Sequence, residues 1–484
     1  MFELELELMG SGNRIPFGKL TGNNFGRIVL KTSRDSINRS NIVEDLAEQY
    51  AKHQTNATAI AYLDRYYRGD QPILYRVKEI RPDVNNRIVE NHAYEIVESK
   101  VADLFGEPVQ YALKTLTSEN EEEKSLKLRL LNSYMDSEGK ADLDIERGRW
   151  ASICGTSYFY IGGENRAEKD FDEAPFWIKC ENPIYTFVVY YADDNTPAYG
   201  VRILEDEEGQ FFKVYTNNEW FTIRDTEIVD SGINVLGMVN IIEYPNNHRR
   251  ISDIEITIGL TDELNKMQSD RMNGIEQFIQ SFILFVNAEI DKETFLDMIS
   301  AGALAINDAE DNRQASARVL ESQLDQTGAQ ISKDDIYKNL LIIQGKPGRD
   351  ESTGGDTGQA VALRNGYYEE DKRAELRIPT FIRSEKQMLK VVLRYCRLKE
   401  TFDLRLSEID IKPKRSKLEN MMVKAQVLQI LHQLGVNDEV AMKLVNLFSD
   451  VQDAYAKSKD TMKAQFDSTL TGTQAPSVGT GESL

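Results

Sequence analysis

The sequence predicts an α+β protein in which long amphipathic helices accompany an antiparallel meander. Apolar residues recur at helical spacing over most of the chain, whereas residues 150–224 hold short aromatic and β-branched runs separated by turns. The chain has 484 residues, of which 41% are hydrophobic, and this length exceeds what one hydrophobic core usually serves. We therefore expect more than one domain.

The composition excludes several classes of protein. The net charge is −21, so the average surface repels a polyanion, and any contact with DNA must be local or weak. Three cysteines without a CxxC motif argue against a disulfide framework and a structural zinc site. No apolar run approaches the roughly 20 residues of a membrane span, and the N-terminus does not resemble a secretory signal. We expect a protein that is assembled in the cytoplasm.

The first 134 residues predict an arm followed by helices. Residues 1–40 are polar after an alternating FELELEL start, which favours a flexible arm, or an edge strand added to a neighbour. Helical spacing then covers 41–64, and a second helix follows Asn91 and ends at Gly106-Glu107-Pro108. A third helix is expected over 124–134.

A long helix follows the meander. Ser252 and Glu255 have the spacing of a capping box, and the helix they begin is expected to reach Val286. Its apolar residues predict a packing face, either in the core of a monomer or against a neighbouring subunit: Leu264, Met267, Ile275, Phe278 and Phe282. Lys266 and Arg271 lie on the same helix, at a spacing that allows them to pair with Asp262 or Asp270.

The second half of the chain predicts a helix, a loop and a kinked helix. Residues 332–343 are helical in pattern, and the loop 345–358 contains five glycines and a proline. Helical spacing then covers 359–398, where Pro379 is expected to produce a kink. Between Lys372 and Lys417, 14 basic residues outnumber 6 acidic ones, so basic charge is segregated in this stretch of an acidic chain. A short strand at 403–411 and a helical segment at 418–459 follow.

Catalytic motifs are not recognisable. The four histidines, His53, His92, His248 and His432, form no HExxH motif and are interpreted as structural. Lys346 is followed by proline, so the loop that contains it is not a phosphate-binding P-loop. We expect no catalytic residue, no metal and no cofactor.

Four blocks in the correct order nevertheless resemble a known family. They are YYRGDQPIL (66–74), NNRIVENHAYEIVESKVADLFGEPVQY (85–111), NIIEYPNNHRRISDIE (240–255) with DELNKMQSDRMNGIEQF (262–278), and GGDTGQAVALRNG (354–366). Together they are similar to the portal proteins of tailed bacteriophages, in the branch found in long-tailed phages of Gram-positive hosts.

The resemblance implies a portal-type fold with the following division of the chain. It comprises a flexible arm (1–40), a wing (41–250), a stem helix (251–286), a clip (287–323), a second stem helix (324–344), a tunnel loop (345–357), a kinked wing helix and strand (358–417), a helical crown (418–464) and a disordered tail (465–484). The tunnel loop would present Lys346, Arg349, Asp350, Glu351, Gly354, Gly355 and Asp356 to DNA. Lys266 and Arg271 become candidates for the stem lumen.

The resemblance also implies partners and a location. The chain would form a ring, commonly a dodecamer, at one capsid vertex of the virion, and double-stranded DNA would pass through it without sequence specificity. Terminase, the head-tail adaptor, the major capsid protein and scaffolding protein would be its partners, and no membrane would be involved. Two other classes remain open from the residues: a phage-derived metal-dependent nuclease or hydrolase, and a virion scaffold or adaptor without a DNA channel.

Overall fold

The computed structural model confirms a mixture of helices and sheets. It describes residues 26–79, 82–114, 121–163, 174–279, 282–286, 293, 316–320, 326–346, 367–399, 402–413, 421–445, 455 and 458. The chain divides into two compact units. The first contains Met1–Val101, Glu146–Ile161 and Lys179–Met388, and the second contains Ala102–Ile145, Gly162–Ile178 and Leu389–Leu484.

The helices and strands of the described residues are as follows. The helices are α1 (Ile42–Tyr67), α2 (His92–Phe105), α3 (Glu121–Ser137), α4 (Lys140–Cys154), α5 (Ile258–Ile279), α6 (Gln326–Gln344), α7 (Tyr367–Glu375), α8 (Ile378–Lys399), α9 (Met421–Gln433) and α10 (Asp438–Val445). The strands are β1 (Lys31–Thr32), β2 (Gln110–Leu113), β3 (Thr156–Gly163), β4 (Phe176–Glu181), β5 (Thr186–Tyr191), β6 (Pro197–Asp206), β7 (Gly209–Thr216), β8 (Glu219–Arg224), β9 (Glu227–Ile233), β10 (Ile241–Pro245), β11 (Phe282–Val286), β12 (Ser316–Leu320) and β13 (Ile409–Lys412).

The predicted meander forms most of a six-stranded sheet with the order β1-β5-β6-β7-β8-β9. Strands β5 to β9 pair antiparallel in sequence order, because short hairpins connect consecutive strands. Apolar side chains of one sheet face pack with Ile42 and Leu46 of α1, and Phe187, Val201 and Phe221 are almost fully buried there. This cluster is the described core of the first unit around the sheet.

Part of the segment predicted as a flexible arm packs on the sheet. Residues 1–25 lie outside the described residues, but Lys31 and Thr32 pair parallel with Tyr190 and Tyr191 of β5. Leu30 is buried in the core of the same sheet. The prediction overlooked this segment because two paired residues leave no periodic pattern.

A second correction concerns the start of β3. The sequence placed a strand from Ala151, whereas α4 continues to Cys154 and β3 begins at Thr156. Gly155 ends the helix with φ of +84°, and an added Cβ would lie 2.0 Å from the carbonyl oxygen of Arg250. Only glycine permits this backbone and this close approach.

The long helix predicted to reach Val286 is also shorter. Helix α5 ends at Ile279, and β11, at the end of the segment predicted as the stem helix, pairs antiparallel with β12 of the region predicted as the clip. The run Phe282–Val286 is apolar throughout, so its pattern fits a buried strand as well as a helix, and its pairing with β12 decides. Phe282 therefore lies on a strand, outside the helical packing face assigned to it.

The helix expected to run through a kink at Pro379 is two helices, with the break in the turn before the proline. Helix α7 ends at Glu375, and Pro379 is the second residue of a separate helix, α8. Proline is tolerated in a first helical turn because its missing N–H would have no intrahelical partner there. The break itself lies at Leu376 and Arg377.

In the second unit, β2 and β13 form a two-stranded antiparallel sheet. Lys124 of α3 donates to Glu408 beside this sheet at 2.7 Å. The helical segment predicted over 418–459 contains two helices, α9 and α10, because Gly435 adopts φ of +77° between them. In the part of the chain described, no helix has the length and apolar character that crossing a membrane requires.

We predict that Gly155→Ala strongly lowers the stability of the first unit. Its left-handed φ costs an alanine about 1–2 kcal/mol, and the contact with the Arg250 carbonyl adds a comparable cost. Gly237→Ala is the matched control, since Gly237 has φ of +69° but no atom near its added Cβ. The measurement is thermal unfolding followed by circular dichroism, and equal losses for both variants would contradict the close approach.

Candidate functional site

The structure pairs the two helices predicted as a stem. Thr257 and Leu264 at the beginning of α5 contact Gln344 and Leu340 at the end of α6, so the helices run antiparallel. Leu264 and Leu340 are fully buried in a cluster with Ile96 of α2. Of the two alternatives for Leu264, a core within one protomer or a contact between subunits, the structure shows burial within the protomer.

A ladder of polar side chains fixes an extended segment along α5. Asn265, Ser269 and Asn273 lie four residues apart on one helix face, and all three are buried. Their side-chain oxygens accept hydrogen bonds from the backbone N–H groups of Glu90 (2.7 Å), Ile88 (2.9 Å) and Asn86 (2.7 Å), respectively.

The geometry explains the spacing of this ladder. Four helical residues advance about 6.0 Å, and two extended residues advance about 6.6 Å. Every second N–H of residues 86–90 therefore meets every fourth side chain of α5. The backbone of NNRIVEN (85–91) therefore forms hydrogen bonds with side chains of α5 rather than with a strand of a sheet.

Acidic residues of α5 are also satisfied within the protomer. Tyr66 donates to Asp262 at 2.8 Å, and Arg76 pairs with Asp270 at 2.6 Å. Burial raises the pKa of Asp262, which the hydrogen bond from Tyr66 partly opposes. Asp262 and Asp270 are thus not the partners of Lys266 and Arg271 that helical spacing suggested.

The base of the helix pair is a buried ionic cluster around Asp253. Arg377 donates to both carboxylate oxygens, at 2.7 and 3.1 Å, and Lys100 donates at 3.0 Å. Ser152 of α4 adds a hydrogen bond at 2.7 Å. The Asp253 side chain is only 4% exposed.

Electrostatics keeps this cluster ionised. Burial opposes the charged form of Asp253, but Arg377 and Lys100 outweigh burial and hold its pKa well below the usual range. Burial lowers the pKa of Lys100 to about 8, although Asp253 raises it in part. A carboxylate with two cations is therefore the stable arrangement at neutral pH.

Gln344 connects the end of α6 to the same cluster. Its amide donates to the Asp253 carbonyl at 2.7 Å and to Thr257 at 2.8 Å, and its oxygen accepts from Lys100 at 2.6 Å. Asp253 precedes α5, Gln344 ends α6 and Arg377 precedes α8. One cluster therefore joins three helix ends that are distant in sequence.

Side chains of the YPNN segment fix the turn that leads to Asp253. The side-chain amides of Asn246 and Asn247 both donate to the Ile251 carbonyl, at 3.0 and 2.7 Å. Glu243 accepts two hydrogen bonds from Arg250, at 2.6 and 2.8 Å. One half of the predicted capping box is present, because Glu255 accepts from the Ser252 backbone N–H at 2.7 Å, whereas the Ser252 hydroxyl accepts from the N–H of Ile254 at 3.0 Å.

The residues predicted for the stem lumen differ in their surroundings. Lys266 is exposed and pairs with Glu263 three residues earlier, at 3.3 Å. Arg271 donates to Gln330 of α6 at 2.6 Å. Met267 and Ile275 are half-buried, whereas the side chains of Phe278 and Phe282 lie outside those described.

Of the predicted tunnel loop, the structure describes Gly345 and Lys346. The Lys346 ammonium pairs with Glu370 of α7 at 2.5 Å. Arg373 of α7 donates to the Ile343 carbonyl of α6 at 2.7 Å. These contacts attach the beginning of α7 to the end of α6. Arg349, Asp350, Glu351, Gly354, Gly355 and Asp356 lie outside the described residues.

Three of the four histidines have structural contacts, whereas His248 is exposed in the turn after β10. His53 is buried, stacks on Phe187 and lies 2.8 Å from the Ile184 carbonyl, and burial lowers its pKa to about 4. His92 contacts Glu95, and His432 contacts Asp438. Among the described residues, no group of His, Cys, Asp and Glu side chains is arranged to hold a metal ion.

Sequence reasoning missed the residues that form the base of the helix pair. Asp253 lay in a block that was recognised, but Lys100, Gln344 and Arg377 were not singled out. The ladder had a readable signal, since Asn265, Ser269 and Asn273 form a polar stripe at helical spacing. The extended segment 86–90, which the ladder binds, has no such pattern in the sequence.

We predict that Asp253→Asn destabilises the first unit by about 3–5 kcal/mol, because Lys100 and Arg377 lose their buried counter-charge. Denaturant unfolding at neutral pH measures this loss. The stability from Asp253 is complete above its unfolded pKa and is lost as the pH falls below about 4. As the pH falls through this range, the free energy of unfolding of the Asp253→Asn variant should therefore decrease less than that of the unaltered protein.

Glu263→Gln is the control for that experiment, because its partner Lys266 is solvent-exposed. Such pairs contribute little to stability. If both variants unfold at the same denaturant concentration as the unaltered protein, Asp253 does not hold the helix ends together.

Solved structures and a family model show which proteins this chain is similar to. Among solved structures, the chain is similar to one in the virion of a native gene transfer agent (GTA) particle, with 11% identity and a TM-score of 0.46 over 80% of this chain and 93% of that chain. It is also similar to one in the neck of an empty GTA particle computed with C6 symmetry, with 11% identity and a TM-score of 0.45 over 74% of this chain and 90% of that chain. A third, in the neck of a native GTA particle computed with C12 symmetry, has 12% identity and a TM-score of 0.43 over 74% of this chain and 89% of that chain.

No curated protein matches the chain. Residues 47–466, most of the 484, match the family described as phage portal protein, SPP1 Gp6-like. The chain therefore belongs to this family of phage portal proteins.

Proposed function

We propose that this chain is the portal subunit of a tailed phage, which forms a ring at one capsid vertex of the virion. Double-stranded DNA would enter and leave through the channel of that ring. Family membership over residues 47–466 supports this proposal most directly. The family is a structural one, and we propose no catalytic activity.

The proposal includes finer assignments. The ring would be a dodecamer that assembles in the cytoplasm of a Gram-positive host. It would dock the terminase and later the head-tail adaptor, and contact the major capsid and scaffolding proteins. Helices α5 and α6 would form the stem, residues 345–357 the tunnel loop, and 418–464 the crown.

A stem must keep its position while DNA moves past it. The Asp253 cluster and the ladder on α5 support this role, because the cluster joins the ends of the helix pair and the ladder attaches an extended segment to α5 through buried polar contacts. Lys266 is the better candidate for the stem lumen, since its side chain is 56% exposed. Arg271 is held against Gln330.

Contacts between subunits would use side chains other than Leu264. On α6, Ile331 is 64% exposed and Ile342 is 55% exposed. They are eleven residues apart, about three turns, so they lie on one face. We propose that this face packs against a neighbouring subunit.

The first test is the mass and shape of the purified protein, by light scattering and negative-stain imaging. Rings of about a dozen subunits, with an opening wider than the roughly 20 Å duplex, are expected. A monomer at high concentration and high salt would contradict the portal assignment, and metal-dependent DNA cleavage would favour the hydrolase instead. A ring too narrow for a duplex would favour an adaptor.

The tunnel-loop assignment predicts a separation of assembly from packaging. Replacing Gly354 and Gly355 with proline should restrict the backbone of the loop, leave rings intact, and reduce the DNA packaged when the variant complements a portal-deficient phage. Loss of rings in this variant would show that the loop serves assembly instead.

The face on α6 predicts that Ile331→Asp with Ile342→Asp abolishes rings but not folding. Both side chains are exposed in the protomer, so the charge is costly only where a neighbour would bury it. Val77→Asp is the control, because Val77 is 82% exposed and lies outside the helix pair. Undiminished ring formation by the double variant would contradict this interface.

A further inference from the structure

Helix α8 carries a continuous basic face. Arg383, Lys386, Lys390, Arg394 and Arg397 are all exposed. At 3.6 residues per turn they fall within an arc of about 80° and span about 21 Å of the helix axis. We call these five residues the basic face of α8.

The helix offers this face no compensating charge. Its single carboxylate, Glu385, is buried and accepts a hydrogen bond from Tyr244 at 2.7 Å. It lies about 160° around the helix from Arg383 and about 140° from Lys390. Arg397 donates to the Leu404 carbonyl. Within the described residues, the side chains of Arg383, Lys386, Lys390 and Arg394 form no ion pair.

The composition of the face distinguishes two kinds of partner. A protein interface favours aromatic residues, methionine and arginine at its centre and is depleted of lysine. Lys386 and Lys390 lie at the centre of this face, and no aromatic or aliphatic side chain interrupts it. A row of exposed cations is instead suited to a polyanion whose charges repeat at short intervals.

We propose that the basic face of α8 contacts the phosphate backbone of double-stranded DNA without reading bases. This inference rests on the proposed portal function and assigns to it a DNA-contact surface outside the tunnel loop and the stem. The duplex carries a phosphate about every 3.4 Å along each strand, so the length of the face overlaps several phosphates. Lysine contacts them as a mobile point charge, which allows the duplex to slide.

The test compares two variants with the same change in charge. R383Q/K386Q/K390Q/R394Q neutralises most of the basic face. K31Q/K114Q/R129Q/R249Q removes two lysines and two arginines that are exposed elsewhere. Binding of a random-sequence duplex of about 30 bp is measured by fluorescence anisotropy from about 50 to 200 mM salt. Light scattering records assembly in the same samples.

We expect the first variant to bind the duplex at least about tenfold more weakly at about 50 mM salt, with assembly unchanged. The slope of log K against log salt should become shallower by about 0.9 for each phosphate that the four side chains no longer neutralise. The control should retain the slope of the unaltered protein.

Three results would overturn the inference. Equal losses in both variants would indicate a general effect of net charge. Loss of assembly in the first variant alone would assign the face to a neighbouring subunit. If the unaltered protein does not bind DNA at low salt, the face is not a DNA contact, whereas the portal assignment is judged separately by ring formation.

Discussion

The arrangement of the helix pair depends on the burial of one carboxylate. Asp253 is ionised in the interior only because Arg377 and Lys100 surround it, and each cation in turn needs the carboxylate. Forming a buried ion pair gives little net free energy, because both charges lose their hydration. Removing one partner costs much more free energy, because the remaining charge stays buried. Loss of any one member of the cluster is therefore destabilising, and the set of contacts also fixes the geometry of the helix ends. The charges of the cluster are all satisfied in only one arrangement of three helix ends. These are the start of α5, the end of α6 and the start of α8.

The ladder on α5 extends this constraint along the helix. A buried extended segment needs partners for its backbone N–H groups, and a sheet is the usual source. Here Asn265, Ser269 and Asn273 take that role, because the advance of two extended residues nearly equals that of four helical residues. A slip of one residue would leave several N–H groups unsatisfied. The register between residues 86–90 and α5 is therefore fixed without a strand pair.

Local patterns allowed the helices, the meander and the capping box at Ser252 to be predicted, because each is encoded by neighbours in sequence. The end of α5 was missed because Phe282–Val286 is uniformly apolar, and only its pairing with residues 316–320 makes it a strand. The Asp253 cluster could not be predicted, since Lys100 and Arg377 are 277 residues apart and neither belongs to a periodic pattern. Leu264 was correctly identified as a packing residue, but periodicity does not reveal whether its neighbour belongs to the same chain.

Helices α5 and α8 use their charged side chains differently. On α5, Asp262 and Asp270 are engaged by Tyr66 and Arg76 of the same protomer, so this helix uses its charges for internal structure. On α8, the one acid is buried and the cations of the basic face are exposed, as the proposed contact with DNA requires. A chain with net charge −21 would gain little general attraction to DNA from such a face. The proposed contact would be confined to one place, which would suit a duplex that must be held in position and still move.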